Sequence, residues 1–351
     1  MKLKTAFIGF GKSTTRYHLP YILRRDNIEV TAIYSRKRKP ELEENYKEYN
    51  IEFTDNLHDV LNNKEILLVS VCSPLQTHYE FAKRCLEAGK NVLVEKPFTE
   101  TTEEAKELFS LAEAKGLVIM PYQNRRFDSD FLLFKEALKN KNLGEIVEIE
   151  SHFDRFRPEE TVKPGTAVDG VFWGLGSHAL DQMISIFGKP KKIYYDIRSL
   201  RDKTKPDDYY HIELFYDNVK VIVKSSHLVL LEYPKFIIQG KNGSFIKYGI
   251  DKQEEYLKAG TMPWEKGFGE EPEENSGQFA YIDNGGRMRK EIMRTIPGDY
   301  GKIYDNLYEA VINKKKKLIS DEEALMLLEI LKIGIKCPNP KIIDFKQGNF
   351  I

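Results

Sequence analysis

The sequence predicts an α/β protein of two domains: an N-terminal doubly wound parallel sheet, then a C-terminal α/β domain with an open, mostly antiparallel sheet. The chain has 351 residues, which exceeds the roughly 100 to 200 residues of a usual domain. Apolar strands alternate with helical stretches over residues 3–120, as in a parallel sheet covered on both faces. After Pro121, strand-like runs follow one another, which favours antiparallel pairing. We therefore predict domains at residues 1–120 and 121–351, with the C-terminal helix a candidate to pack back on the first.

Short apolar runs define the predicted strands of the first sheet. They lie at residues 5–8, 30–34, 52–54, 66–71, 92–94 and 118–120. Asp55 is a candidate N-cap for the helix that begins near Leu57. Gly89 and Gly116 follow helical segments, where a left-handed C-terminal residue is favoured. The turn residues therefore agree with the alternation of strands and helices.

The second domain is predicted to contain one amphipathic helix at residues 131–139 before its strands. The strand candidates lie at residues 146–153, 192–198, 210–215, 220–226 and 236–239. Residues 260–274, rich in Gly, Pro and Glu, predict a long loop. Residues 300–336 return to helical spacing.

Composition excludes several classes of protein. Lys plus Arg and Asp plus Glu both total 54, so no net field favours nucleic acid or an anionic membrane. The lysines at 314–317 are interpreted as a solvated turn. No apolar run reaches the ~18 residues of a membrane span and the start lacks a signal-peptide core, so a cytoplasmic protein is expected. Cys72, Cys85 and Cys337 lack metal-ligand spacing, so we interpret them as structural and expect no metal.

A glycine-containing loop follows the first strand and precedes a helix, which is the context that a dinucleotide-binding motif requires. The loop reads Gly9-Phe10-Gly11-Lys12-Ser13-Thr14. The first glycine would make the turn, and the second would let a pyrophosphate approach the backbone. Thr14 stands where a third glycine is usual, so the strand and helix are farther apart or the loop closes differently. An ordinary βα turn is the alternative interpretation.

The end of the second strand indicates which dinucleotide binds. The chain there reads Tyr34-Ser35-Arg36-Lys37-Arg38-Lys39, with no carboxylate to accept from a ribose 2′-hydroxyl. Ser35, Arg36 and Arg38 suit a 2′-phosphate, since a guanidinium makes a planar two-point contact. NADP is therefore favoured, NAD is possible, and a solvated loop is the alternative.

Two further strand ends complete the predicted nucleotide site. The fourth strand is followed by Ser73-Pro74-Leu75-Gln76-Thr77-His78, and the fifth by Glu95-Lys96-Pro97. Ser73 can touch a ribose or cap the next helix, and His78 is either a cofactor contact or, more often, a histidine on a helix surface. Lys96 at a strand end can polarise a hydroxyl. A surface pair of Glu95 with Lys96 is the alternative.

The sequence resembles the Gfo/Idh/MocA family of oxidoreductases over nearly its whole length. The resemblance rests on four segments: Ala6-Phe7-Ile8-Gly9-Phe10-Gly11, Glu95-Lys96-Pro97, Asn124-Arg125-Arg126-Phe127 and Gly174-Leu175-Gly176-Ser177-His178-Ala179-Leu180-Asp181. It implies a Rossmann domain and reversible oxidation of a secondary alcohol, commonly on a sugar or cyclitol, with NAD or NADP. It also implies a homodimer or homotetramer.

The resemblance assigns roles to individual residues. Lys96 would contact the substrate and the nicotinamide ribose, and His178 would be the acid/base in a cleft between the domains. Asn124 is predicted to touch both cofactor and substrate. Further predicted substrate contacts are Arg125, Trp173 and Asp181; surface salt bridges are the alternative for Arg125 and Arg126, and a core position for Trp173 and Tyr122.

Position 174 departs from the family pattern, since many members carry an aspartate four residues before the histidine and this chain has Gly174. The tautomer of His178 would then be fixed by another group, such as Asp181 or the substrate; Asp154 and Asp169 are other candidates. The sequence therefore leaves a second hypothesis, a catalytically silent NADP(H)-binding sensor.

Overall fold

The computed structural model describes residues 1–336 and 339–345, which group into two compact units. The first comprises residues 1–124, 253–268 and 299–325. The second comprises residues 125–252, 269–298 and, from residue 326, the rest of the described chain. Cys337 lies outside the described residues.

The first unit is built on a six-stranded parallel sheet in the order β3-β2-β1-β4-β5-β6. The strands are β1 Leu3–Ile8, β2 Ile28–Tyr34, β3 Glu52–Thr54, β4 Leu68–Val71, β5 Asn91–Val94 and β6 Ile119–Pro121. The chain order reverses between β1 and β4, and the carboxyl ends of strands at such a point form a ligand-binding crevice. The predicted doubly wound parallel sheet is confirmed.

Helices follow the strands of the first unit, and two come from the second half of the chain. They are α1 Leu19–Ile22, α2 Pro40–Glu43, α3 Leu57–Asn62, α4 His78–Glu87, α5 Thr102–Ala114, α8 Gln253–Ala259 and α9 Lys302–Ile312. The predicted cap of α3 is wrong by one residue. Asn56, rather than Asp55, is extended just before the helix, and its side chain accepts from the His58 amide at 3.2 Å.

The second unit is built on a nine-stranded mixed sheet in the order β14-β13-β12-β11-β7-β10-β9-β8-β15. Its strands are β7 Ile146–His152, β8 Lys192–Arg198, β9 Tyr209–Phe215, β10 Lys220–Ser226, β11 Phe236–Gly240, β12 Gly243–Lys247, β13 Gly277–Ile282, β14 Met288–Met293 and β15 Lys341–Asp344. Among the described residues of this sheet, β7 and β10 are the one pair of strands that run parallel. The mostly antiparallel second sheet is confirmed.

Two helices belong wholly to the second unit, α6 Ser129–Leu138 and α7 Ser177–Phe187, and the division of the chain falls inside α10 Asp321–Lys336. The apolar core of this unit includes Phe131 and Phe134 of α6, which stack near Phe236 of β11. The helix predicted at residues 131–139 is α6.

Four strands and two helices were not predicted: β12, β13, β14, β15, α7 and α8. In β14 the sequence MRKEIM is mostly exposed and charged, so it lacks the alternation by which a half-buried strand is recognised. The glycines that open β12 and β13 resemble turn residues.

Two further kinds of feature, a membrane-spanning helix and a metal-binding cluster, have no counterpart among the described residues. No described helix has the length and apolarity that crossing a bilayer requires. Within the same residues, no cluster of three or more His, Cys, Asp or Glu side chains is arranged to hold a metal ion.

Candidate functional site

The two glycines of the nucleotide loop have different roles. Gly9 adopts a φ of +109°, and a Cβ there would lie 2.6 Å from the carbonyl oxygen of Cys72. A Cβ on Gly11 would meet no atom of the described chain within 4 Å. Gly9 is therefore required by the turn itself, whereas Gly11 leaves open space beside the backbone for a ligand.

Thr14, at the position of the third glycine, closes the loop from inside. Its side chain is buried, and its hydroxyl donates to the Gly9 carbonyl at 2.7 Å. A π-helical turn, Thr14–His18, follows and leads into α1. The sequence left two possibilities, a larger separation of strand and helix or a different closure of the loop, and this hydrogen bond shows the second. A π turn inside a helix is a frequent companion of functional sites.

A cavity of about 740 Å³ opens at the carboxyl ends of β1, β2 and β4. The predicted cofactor residues that line it are Gly9, Phe10, Gly11, Ser35, Arg36, Ser73 and Pro74. Residues that line it without having been predicted are Ile8, Tyr34, Lys37, Lys39, Cys72, Thr77 and Phe81. The residues of the dinucleotide motif and of the basic loop are therefore brought to one cavity within the first unit.

The four basic residues at positions 36–39, the basic loop, do not all face the same surroundings. Arg36, Lys37 and Lys39 line the cavity, and the Lys39 ammonium donates to the Phe10 carbonyl. Arg38 instead forms a two-point ion pair with Glu43 of α2, at 2.9 and 2.6 Å. This guanidinium lowers the pKa of Glu43. Arg36 of the predicted pair therefore lines the cavity with Lys37 and Lys39, and Arg38 does not.

The prediction of a surface position for His78 is wrong, because its ring is buried between two loops. Nδ1 lies 2.9 Å from the carbonyl oxygen of Pro97, and Nε2 lies 2.8 Å from that of Ser73. The Ser73 hydroxyl accepts from Thr77 at 2.7 Å. His78 therefore ties the loop after β4 to the turn after β5, while Gln76 is exposed in the short helix between them.

Glu95 is hydrogen-bonded from three directions. Oε1 accepts from the Ser13 hydroxyl and from His18 Nε2, the latter at 3.1 Å, while Oε2 accepts from the Lys96 amide at 2.9 Å. Burial favours the neutral acid, but the bonds from His18 and Ser13 and the charge of Lys96 hold the pKa of Glu95 below its ordinary value. Glu95 thus joins the nucleotide loop to the turn that carries Lys96. Lys96 is half-buried and Lys12 is exposed.

The predicted substrate residues after β6 lie in a short helix, Asn124–Phe127. Asn124 is buried in the first unit, and Arg125 begins the second. The Arg125 guanidinium lies 3.2 Å from Asp128 and stands over the Phe153 ring at 5.2 Å. The arginines predicted as possible surface pairs are therefore buried.

Asp181 is the partner of Arg126. Its two carboxylate oxygens accept from the guanidinium at 2.7 and 2.8 Å, with both side chains almost fully buried. Asp154 lies 3.0 Å from His152 Nδ1, and Asp169 caps the turn that begins at Thr166. The carboxylates considered as partners of His178 thus have other partners in the described chain.

His178 is the second residue of α7 and is nearly buried. The π-helical turn Phe172–Gly176 leads into this helix and carries the buried Trp173. A Cβ on Gly174 would meet no atom of the described chain within 4 Å. The position at which the family often has a carboxylate is therefore open.

Lys235 is a buried charged residue that the sequence analysis missed. Its ammonium nitrogen lies 4.1 Å from the Phe153 ring centroid and 4.6 Å from that of Phe236, and no described residue is its hydrogen-bond partner. Burial lowers its pKa to about 8, against the opposing charges of Asp130 and Asp128. No sequence pattern distinguishes a buried lysine just before β11 from an exposed one.

Comparisons with known proteins agree with this geometry. Two family models match: the NAD-binding Rossmann fold of the oxidoreductase family over residues 3–123, and its C-terminal alpha/beta domain over residues 135–339. The uncharacterised oxidoreductase YhhX of Escherichia coli is 52% identical over 348 residues, covering 99% of this chain and 100% of YhhX.

Two further relatives extend the comparison to a named activity and to a solved structure. The scyllo-inositol 2-dehydrogenase (NADP(+)) IolW of Bacillus subtilis is 31% identical over 343 residues, covering 97% of this chain and 94% of IolW. The crystal structure of a Bacillus cereus oxidoreductase has a TM-score of 0.96 at 46% identity, covering 99% of each chain. The chain therefore belongs to the Gfo/Idh/MocA family of oxidoreductases, with an NAD-binding Rossmann domain followed by the family's C-terminal α/β domain.

Proposed function

We propose that the protein is an NADP-preferring dehydrogenase that transfers hydride to or from a secondary alcohol of a sugar or inositol-like polyol. The observation that carries the proposal is the cavity at the strand ends, lined by the glycine loop and by Arg36, Lys37 and Lys39. The activity in the name of IolW, an inositol dehydrogenase that uses NADP+, supports both the cofactor and the substrate class.

The charge of the cavity fits a 2′-phosphate. Such a group carries about −1.5 to −2 charges at neutral pH, and the three cations of the loop complement it. The residues that line this cavity include no carboxylate to accept from a ribose 2′-hydroxyl. The open space at Gly11 fits the approach of a pyrophosphate to the backbone.

The chemistry requires a donor for the reacting oxygen and a base for its proton. A bound nicotinamide supplies or accepts the hydride. We assign Lys96 to bind and orient the alcohol oxygen, because it stands at the end of β5 in the turn that Glu95 ties to the nucleotide loop. His178 is assigned to take up or return the proton of the alcohol. Asn124, Arg125 and Trp173 are assigned to bind the substrate.

A second candidate function is an NADP(H)-binding sensor without turnover. The open position at Gly174 favours it, because no carboxylate stands there to orient His178. Both candidates bind the cofactor through the same loop. They differ only in whether a polyol changes the redox state of the bound nicotinamide.

Cofactor preference is tested by titrating NADPH and NADH into the wild type, Arg36→Ala and a control, Lys64→Ala, which removes an exposed lysine away from the cavity. We expect NADPH to bind at least tenfold more tightly than NADH. A charge-assisted hydrogen bond contributes about 1.5 to 3 kcal/mol, so Arg36→Ala should weaken NADPH binding at least tenfold. NADH binding should be unchanged. Tighter binding of NADH would contradict the assignment.

Turnover is tested with a panel of sugars and cyclitols, using the absorbance of reduced nicotinamide as the readout. We expect at least one polyol to change the absorbance with wild type. Lys96→Ala should abolish that change while NADPH still binds, and Lys64→Ala should behave as wild type. Tight NADPH binding with no turnover across the whole panel would favour the sensor.

A further inference from the structure

A chain of buried polar side chains ends at Glu95 in the first unit. Ser70 Oγ lies 3.1 Å from the Tyr304 hydroxyl, which lies 2.6 Å from His18 Nδ1. His18 Nε2 then lies 3.1 Å from Glu95 Oε1. The chain runs from β4 through α9 and the π turn to the end of β5, and none of its members except Glu95 was singled out by sequence.

The chemistry of the partners fixes the direction of these bonds. A carboxylate only accepts, so His18 Nε2 must donate to Glu95. In the neutral ring, Nδ1 then accepts from the Tyr304 hydroxyl, and that oxygen can accept from Ser70. Each of these three bonds then has one donor and one acceptor, and the histidine is held in one tautomer.

Packing holds the imidazole of His18 in place. The ring is fully buried and stacks on Tyr122, with centroids 4.0 Å apart and planes 28° apart. The edge of Phe7 closes another side at 5.7 Å. His18 therefore presents its Nε2 proton to Glu95 from a fixed position.

The ionised form of Glu95 is needed for all three of its bonds. The carboxylate accepts from Ser13, His18 and the Lys96 amide at once. A proton on Oε1 would displace Ser13 or His18, because that oxygen already accepts two bonds, and a proton on Oε2 would make it a weaker acceptor for the Lys96 amide. The link from the nucleotide loop to the Lys96 turn would then be weakened.

We propose that His18 is a positioning residue that acts through Glu95, holding the carboxylate as the anion that ties Ser13 of the nucleotide loop to the Lys96 turn. The inference rests on the proposed function, because its test measures the binding of the proposed cofactor. In this proposal, the extra residue in the π turn Thr14–His18 places the His18 ring beside Glu95.

The other titratable groups that face Glu95 do not supply this role. Lys96 contributes a positive charge from the turn itself. Burial raises the pKa of the Cys72 thiol and of the Tyr122 and Tyr304 hydroxyls, so these three stay neutral. His18 is therefore the side chain on a separate element that donates to the carboxylate beside Ser13.

The test compares NADP+ affinity at pH 6 and pH 8.5, measured by titration calorimetry. Each variant is expressed as a ratio to wild type at the same pH, which cancels the titration of the 2′-phosphate. His18→Leu should bind within about threefold of wild type at pH 8.5 and about tenfold more weakly at pH 6. The reason is that loss of the His18 donor raises the pKa of the buried Glu95 carboxyl, so that the carboxyl takes up a proton more readily at the lower pH.

Two further variants separate positioning from mere filling of space. His18→Gln keeps an N–H donor and should stay within about threefold of wild type at both values of pH. Tyr304→Phe removes the hydroxyl that fixes the tautomer and should weaken binding about threefold at pH 6 alone.

Each outcome decides for or against the inference. An equal loss at both values of pH in His18→Leu, or no loss, overturns it, as does a loss at pH 6 in His18→Gln that matches His18→Leu. If His18→Leu does not fold, Tyr304→Phe decides, and a ratio independent of pH overturns the inference. If wild type itself binds no NADP+, the proposed function has failed instead.

Discussion

Glu95 in the first unit, whose side chain is 12% exposed, and the buried Lys235 in the second are both charged side chains largely removed from water, yet their pKa values are set by opposite causes. Glu95 keeps a pKa below its ordinary value because three donors converge on it. Lys235 has its pKa lowered to about 8, since aromatic ring faces surround its ammonium group and no described residue accepts a hydrogen bond from it. Burial is common to both, so it is the hydrogen-bond partners that decide whether a buried charge persists.

The largest effect should come from breaking a buried charge that is fully paired. Asp181→Asn removes the negative charge from the two-point pair with Arg126. Breaking a buried ion pair by removing the charge of one partner destabilises a protein by about 3 to 5 kcal/mol. We expect a loss of that size in the free energy of unfolding, measured by urea denaturation.

A matched double variant identifies the cause of that loss. Asp181→Leu combined with Arg126→Met removes both charges and should recover most of the stability, since replacing a buried pair by apolar residues is often neutral. If the double variant were as unstable as Asp181→Asn, the broken ion pair would not be the cause of the loss.

A smaller effect, with a distinct dependence on pH, should come from Lys235→Met. The folded pKa of Lys235, about 8, lies below its ordinary 10.5, so between these values the unfolded chain binds more protons than the folded one. Stability of the wild type therefore rises with pH across this window, by about 3 kcal/mol in all. Lys235→Met should lack that rise.

The measurement is the difference in unfolding free energy between wild type and Lys235→Met at pH 8 and pH 10.5. Other groups titrate alike in both proteins and cancel. The exposed Lys64→Met serves as the control and should follow the wild type at both values. Parallel curves for wild type and Lys235→Met would show that the Lys235 ammonium is solvated or paired in solution.

The sequence predicted well what depends on neighbours along the chain. The glycine loop, the basic loop and the segment after β4 each stand at a strand end, and the carboxyl ends of parallel strands meet at one edge, so their meeting at the cavity follows from the alternation alone. His18 and Tyr304 are different, because they are 286 residues apart. Their contact is a product of the tertiary fold.

The ion pair between Arg38 and Glu43 could have been recognised from the sequence. Glu43 lies only five residues after Arg38, in the helix that follows the basic loop. A carboxylate at that distance competes with a bound phosphate for the guanidinium. His78 was misjudged for another reason: α4 carries it on the face that packs against the turn at Pro97, and the polar spacing of the helix does not reveal which face is buried.

The smallest effect should come from Arg38→Ala. Its side chain is about half exposed, at 46%, and exposed ion pairs add little to stability. We expect the free energy of unfolding to be nearly unchanged. Because the guanidinium is bound to Glu43 rather than lining the cavity, NADPH affinity should change less than twofold, in contrast with Arg36→Ala.

A loss of NADPH affinity in Arg38→Ala as large as in Arg36→Ala would show that the ion pair with Glu43 opens when the cofactor binds. The companion variant Glu43→Gln frees the guanidinium without removing it. If the pair and the phosphate compete for Arg38, this variant should bind NADPH more tightly than the wild type, whereas unchanged affinity would confirm that the charge of Arg38 is held outside the site.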